Sequence, residues 1–178
     1  GDIIKDCYIP LFEDTFYNAI LDNSNIDDIA DSNNLVEQMV NTYIVDVVIL
    51  SQSCDIAHNK IDSLIVCPVW PFKKLIEANP YYKSSRARES LRQGKEPAYH
   101  LLNQYKSDKL TFQYSIFDFH RIYSLPKNYL RKIAQEKEVR LRLLPPYREH
   151  LSQAFARYFM RVGLPVDIDK DSIKKLNG

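Results

Sequence analysis

Hydrophobic residues in this chain fall into short runs whose period changes repeatedly, and each change marks an element. Ile44, Val45, Val47, Val48 and Ile49 form a β-branched run broken only by Asp46. That pattern predicts a strand over residues 43–50, buried on both faces. Residues 64–69 repeat it more briefly, and Pro68 and Pro71 end it. Residues 2–4 are short and β-branched and predict an edge strand. Leu11, Phe12, Thr15, Phe16, Ala19 and Ile20 fall at helical spacing over residues 11–21. Residues 22–34 are rich in Asp, Asn and Ser and read as a loop, with a further short helix over 35–40.

Beyond the second strand, residues 72–78 predict a helix stopped at Asn79-Pro80, and residues 84–93 another, stopped by Gly94. A strand follows at Tyr99. Residues 111–123 read as one long aromatic strand, in which Phe112, Tyr114 and Ile116 alternate before Phe117 and Phe119 take the other parity. The switch predicts a bulge near Ile116. Pro126 opens a helix to about residue 137. Val139, Leu141 and Leu143 alternate with Arg140 and Arg142, a strand with one wet face. After Pro145-Pro146, residues 147–162 form an amphipathic helix with Leu151, Phe155, Tyr158, Phe159 and Val162 on one stripe.

Strands near Asp2, Tyr43, Leu64, Tyr99, Thr111 and Val139, with helices between them, predict an α+β fold. The form expected is a small, strongly bent antiparallel sheet or partly open barrel with helical insertions and a C-terminal amphipathic helix. No Gly- or Ser-rich linker divides the chain, so residues 1–168 are expected to form one domain and 169–178 a frayed charged tail. The twelve Tyr and eight Phe suit strands and a ring-filled core.

A formal net charge of +1 excludes a broadly polycationic surface, so nucleic-acid binding would need a local basic patch. Cys7, Cys54 and Cys67 contain no CxxC pair, which fits a reducing, cytoplasmic compartment better than a disulfide framework. Apolar runs are too short to span a bilayer, and no signal peptide is visible. The chain opens on Gly1 instead of Met, so a trimmed piece of a longer protein is expected.

Three strings carry a resemblance to a known family: Gly1-Asp2-Ile3-Ile4, Val47-Val48-Ile49-Leu50-Ser51, and Ile65-Val66-Cys67-Pro68-Val69. With the order of the elements, they resemble the MazF/PemK-type growth-inhibitor toxins. Asp118 and Arg121 resemble that family's later Asp and Arg. The resemblance implies an SH3-like barrel with added helices, metal-free RNA cleavage and a bacterial toxin–antitoxin or phage-defence setting. The chain departs from the family in its greatly enlarged loop after the first strand and at two further places. Residues 41–45, Asn-Thr-Tyr-Ile-Val, lack the Arg expected before the hydrophobic strand, and Val69-Trp70-Pro71 lacks the following Thr. Binding without cleavage is therefore a variant of the same reading, because function resides in the site and not in the fold.

Residues 51–60 gather the most reactive groups. Cys54 beside Asp55, with His58 or His100 as base and Asp118 orienting it, would suit acyl transfer by a thiolate. The plainer alternative makes Cys54 a small loop residue and Asp55 the cap of a turn. No metal-ligand spacing is present, although Cys54, Asp55, His58, His100 and His120 are ligand types. With four glycines and no phosphate-loop motif, no nucleotide cofactor is implied. Basic groups occur in three sets: Arg88, Arg92 and Lys95; Arg140 and Arg142; and His150, Arg157 and Arg161. With Arg121 and Tyr81, Tyr82, Tyr99 and Tyr105 they could bind RNA or DNA through phosphates and stacking. Alternatively they are solvated charges paired with Glu89, Glu96, Glu138 and Glu149. The last helix either packs on the sheet or forms a seam with a protein partner or second copy. Trp70 is a pocket wall or a core residue. Three functions follow: an RNA-binding or RNA-cleaving barrel, a Cys54-dependent hydrolase, or a non-catalytic interaction domain.

Overall fold

The computed structural model describes residues 1–11, 41–137 and 139–160. Apart from Leu11, which ends a strand, the helix expected over 11–21 lies outside the described residues, as do the loop over 22–34, the helix over 35–40, the last two residues of the helix expected over 147–162 and the tail over 169–178. What is described is a mixed α+β fold with an antiparallel sheet that is not closed. The chain runs β1 (Asp2–Leu11), β2 (Asn41–Ile49), α1 (Ser53–Ala57), β3 (Ser63–Pro71) and α2 (Phe72–Ala78). A 3-10 turn (Pro80–Lys83), α3 (Ser85–Arg92), β4 (Tyr99–Leu102), β5 (Tyr105–Lys106) and β6 (Thr111–Phe112) follow. The remainder is β7 (Ser115–Asp118), β8 (Tyr123–Pro126), α4 (Lys127–Glu136), β9 (Leu141–Arg142) and α5 (Tyr147–Phe159). Seven strands form one sheet in the order β4-β7-β3-β2-β1-β9, with β8 also on β3, while β5 and β6 pair separately.

Strand β1 is longer than its sequence pattern, and lies between β2 and β9 instead of at an edge. The polar pair Lys5-Asp6 hides its continuation. Its register shifts between Ile4 and Cys7, and Asp6 takes φ +56°. That bulge returns Cys7 and Ile9 to the face that Ile4 occupies, so all three are buried together. Asp46, the polar break in the β2 run, accepts the Asp6 backbone N–H on Oδ1 at 3.1 Å.

Strand β3 serves two neighbours on one edge. Ser63–Val66 pairs with β8, and Val69–Pro71 pairs with β7. Strands β7 and β8 are thus one line interrupted at residues 119–122. This corrects the single aromatic strand with a bulge near Ile116. Thr111 and Phe112 belong to the small separate sheet, and the Tyr114 carbonyl accepts from the Phe72 N–H at 2.8 Å. Residues 139–143 also yield only a two-residue strand, β9.

Both faces of the sheet are covered, which explains the unbroken β-branched runs. On one face Ile3, Val48, Cys67, Val69 and Phe117 pack with Leu143 and with Leu151 of α5. On the other, Val45, Val47, Leu64 and Val66 pack with Leu130 of α4. Helices α2 and α3 cover Ile116 with Leu75, Ala87 and Leu91. Trp70 bridges these last two clusters as a half-buried core side chain. In α5, Leu151 is buried and Phe155 and Tyr158 pack against the sheet, while Phe159 is exposed. The apolar stripe is therefore spent mostly on the protein's own core. Among the described residues no helix is long and apolar enough to cross a membrane.

Candidate nucleic-acid interface

Helix α3 brings the first basic set to the β4 edge of the sheet. The Ser84 hydroxyl caps the helix, accepting from the Ala87 N–H at 3.1 Å. Gly94, at φ +68°, ends it, with its N–H on the Leu91 carbonyl and the Lys95 N–H on the Ser90 carbonyl. The turn aims Arg92 and Gly94 at β4. Helix α5 crosses from the opposite side, presenting His150 and Arg157, one face of the helix at i and i+7. Between them opens a cleft of about 300 Å³ with Tyr99 and His100 at its base.

The cleft's charges are unevenly spent. Arg92 is held by Glu89 through two bonds of 2.7 Å. That pairing pulls Glu89 down to about 2, chiefly through the bond to Arg92 and then to Gln93. Glu96, also in the lining, accepts from Ser90 at 3.0 Å and Tyr81 at 3.3 Å through Oε1. Arg157 and His150 are exposed and make no ion pair with a described residue. His100 is half-buried and stacks on Phe117, with ring centroids 5.7 Å apart. Burial, with smaller contributions from His150 and Arg157, pushes its imidazole down to about 4. A neutral His100 thus sits near the Arg157 guanidinium.

The turn that interrupts the β7–β8 line builds a second cluster beside the cleft. Asp118 is buried, and its Oδ1 accepts the His120 backbone N–H at 3.1 Å and lies 2.8 Å from His120 Nδ1. Arg121 Nε stands 3.9 Å from Oδ2. The exposed His120 ring meets Tyr99 edge-on at 5.2 Å and Tyr158 at 6.0 Å. A carboxylate on Nδ1 fixes the tautomer and leaves Nε2 as the outward acceptor, the arrangement of a general base. Tyr99 belongs to both places, lining the cleft and touching His120.

The sequence-expected set of Cys54, Asp55, His58, His100 and Asp118 is divided by the fold. Cys54 is exposed on α1, with its Sγ 3.5 Å from Gln52 Oε1 and 3.8 Å from Asp55 Oδ1. His58 Nδ1 lies 2.8 Å from the Cys54 carbonyl and not on the thiol. Asp55 pairs loosely with Lys60 at 3.7 Å. Asp118 orients His120, and His100 stacks on Phe117. Of the arginines, Arg92 and Arg157 meet at the cleft, and Arg121 adjoins it through Asp118. Arg88 bonds the Lys83 and Ser84 carbonyls and lines a neighbouring, more apolar hollow. Arg142 bonds Asp2 at 2.6 and 3.2 Å on β9, the opposite sheet edge. Arg140 donates to the Ala134 carbonyl at 3.1 Å. Arg161 and Glu138 lie outside the described residues. Among the described residues no group of three or more His, Cys, Asp or Glu side chains is placed to hold a metal. His120 is the residue that sequence reasoning underused, and the Asp118-x-His120 spacing was its signal.

No family model matches this chain, and neither a curated protein nor a solved structure matches it.

Proposed function

We propose that this protein binds single-stranded RNA in the cleft between α3, β4 and α5. The observation that carries this reading is the convergence of Arg92, His150 and Arg157, drawn from two distant segments, around the rings of Tyr99 and His100. Guanidinium groups supply phosphate contacts and the half-buried Tyr99 ring supplies a base contact, the combination single strands require. A chain of net charge +1 holds RNA only through local cations such as Arg157, which has no described carboxylate in ion-pair range. The test is fluorescence anisotropy with a labelled RNA across a salt series. Binding weakens with salt, and Arg157→Ala weakens it further while Arg142→Ala at the far edge does not. Equal effects of the two substitutions, or no binding at low salt, would defeat the proposal.

The Asp118–His120 pair favours a second reading, cleavage of the bound strand. His120 Nε2 takes the proton of a ribose 2′-hydroxyl, whose oxygen attacks the adjacent phosphorus. The P–O5′ bond breaks, and the leaving oxygen takes a proton from solvent. A cyclic phosphate and a 5′-hydroxyl result. Asp118 holds the imidazole and stabilises its protonated form. The likeness to MazF/PemK-type toxins supports a toxin–antitoxin or phage-defence setting and an SH3-like ancestry for the β1–β2–β3 unit. The family's Arg and Thr remain unmatched, so His120 takes the catalytic burden here. Cleavage that persists in chelator and disappears in both His120→Ala and Asp118→Asn supports this mechanism; persistence in His120→Ala rules it out.

A further inference from the structure

The cleft has more uncommitted donors than an internal phosphate can use. A phosphodiester within a strand carries one negative charge and offers two non-bridging oxygens. A terminal phosphomonoester carries about −1.5 to −2 at neutral pH and offers three. Facing the cleft are the Arg157 guanidinium, with no described carboxylate in ion-pair range, and the rings of His150 and His100. The two carboxylates nearby are already engaged: Glu89 by Arg92 and Gln93, and Glu96 by Ser90 and Tyr81. Glu89 offsets Arg92, Glu96 keeps its charge on the α3 side, and on the α5 side Arg157 stands without a described carboxylate in ion-pair range.

The shape points the same way. A volume of about 300 Å³ lies at the small end of ligand pockets and has room for one nucleotide. The cleft is floored by β4, where His100 is packed flat on Phe117. Tyr99, beside His100 in that floor, is placed to meet the first base, and its ring lies 5.2 Å from that of His120.

We propose that the cleft seats the terminal phosphate of an RNA strand, gripped by Arg157 and His150 above His100, with the chain leaving past Tyr99. This assignment rests on the RNA-binding reading and specifies which part of the RNA is held. A dianion in the cleft also favours the protonated form of His100. The other titratable groups facing the cleft are Arg92, Glu96 and Tyr99, and Lys95 stands near Glu89.

The experiment compares four internally labelled RNAs of one sequence by fluorescence anisotropy: 5′-phosphorylated, 3′-phosphorylated, hydroxyl at both ends, and circularised. One phosphorylated strand binds at least ten-fold tighter than the hydroxyl and circular forms, and identifies which end is recognised. Arg157→Gln and His150→Gln, both at exposed positions that leave the core intact, remove most of that advantage. Equal affinity for circular and phosphorylated strands overturns end recognition and leaves the RNA-binding reading standing. Failure of all four RNAs to bind overturns both.

Discussion

Replacing His100 with Phe should flatten the acid limb of the protein's stability profile, because His100 is a titratable ring that the fold keeps neutral. The folded imidazole takes its proton near pH 4, and the unfolded one near 6.5. Between those values the unfolded chain binds the extra proton, so acid favours unfolding. The sign is fixed: the contribution of a neutral, buried His100 is whole above pH 6.5. It is lost as pH falls and levels off below about 4, where both states are protonated. Going from pH 7 to 4.5 the loss is about 2 kcal/mol, using 1.36 kcal/mol per pH unit. With a urea slope of about 2 kcal/mol/M, that moves the midpoint by about 1 M.

The assay is urea unfolding at pH 7 and 4.5, followed by fluorescence, for the natural chain and His100→Phe. Phe keeps an aromatic ring on Phe117 and removes the ionisable nitrogen. Carboxylates that titrate over the same range do so in both proteins, so the difference between the two acid losses isolates His100. The variant loses about 2 kcal/mol less than the natural chain. Parallel losses would refute the reasoning, and would mean that the imidazole is solvated or finds an acceptor as it protonates. Addition of a phosphorylated strand to the natural chain should narrow the gap, since an anion in the cleft favours the protonated ring.

Three further outcomes are expected. Phe117→Ala removes a fully buried ring that supports both the core and the His100 stack, and should cost about 3–5 kcal/mol in urea unfolding. Lys127→Ala removes the buried ammonium that donates to the Ile61 carbonyl at 2.8 Å and Asn59 Oδ1 at 3.2 Å. It should cost about 1–3 kcal/mol by the same measurement, with no change in RNA affinity. A thiol reagent at pH 7.5 should label Cys54 alone in the folded protein: Cys54 is exposed, while burial shields Cys7 and Cys67 and pushes Cys7 up to about 12. Rapid labelling of Cys67 would show that the sheet opens locally.

The mid-sheet strands were legible because a run such as Val45, Val47 and Val48 has no other stable use than burial on both faces. Helix α3 was legible for a different reason: Ser84 and Gly94 mark its two ends by local chemistry that needs no tertiary context. Strand β1 was half hidden because the bulge at Lys5-Asp6 breaks the alternation on which a strand is recognised. The cleft was hidden more deeply. Sequence spacing put Arg88 with Arg92, Arg140 with Arg142, and His150 with Arg157 in three equivalent sets. Which of these meet depends on strand order, and β9 and β4 turn out to be opposite edges of the sheet.

The misplaced break in the aromatic segment also explains why the Asp118–His120 pair was overlooked. On a continuous strand, residues at i and i+2 share a face with Cα atoms about 7 Å apart and side chains standing roughly parallel, which does not by itself draw them together. Read that way, Asp118 needed a histidine from elsewhere, and His58 and His100 were the candidates. The chain instead leaves the sheet after Asp118, buries Phe119 and turns, with the Arg121 N–H on the Asp118 carbonyl at 3.2 Å. That turn folds His120 back to 2.8 Å from the carboxylate. The break has its own physical cause: β3 pairs β8 through Val66↔Tyr123 and β7 through Val69↔Phe117, so five residues on one line must answer to two on the other. The excess length cannot stay in the ladder and loops out. The same mismatch that divides the strand therefore builds the Asp118–His120 pair, which makes the length of residues 118–122, more than any single side chain in it, the feature on which the pair depends.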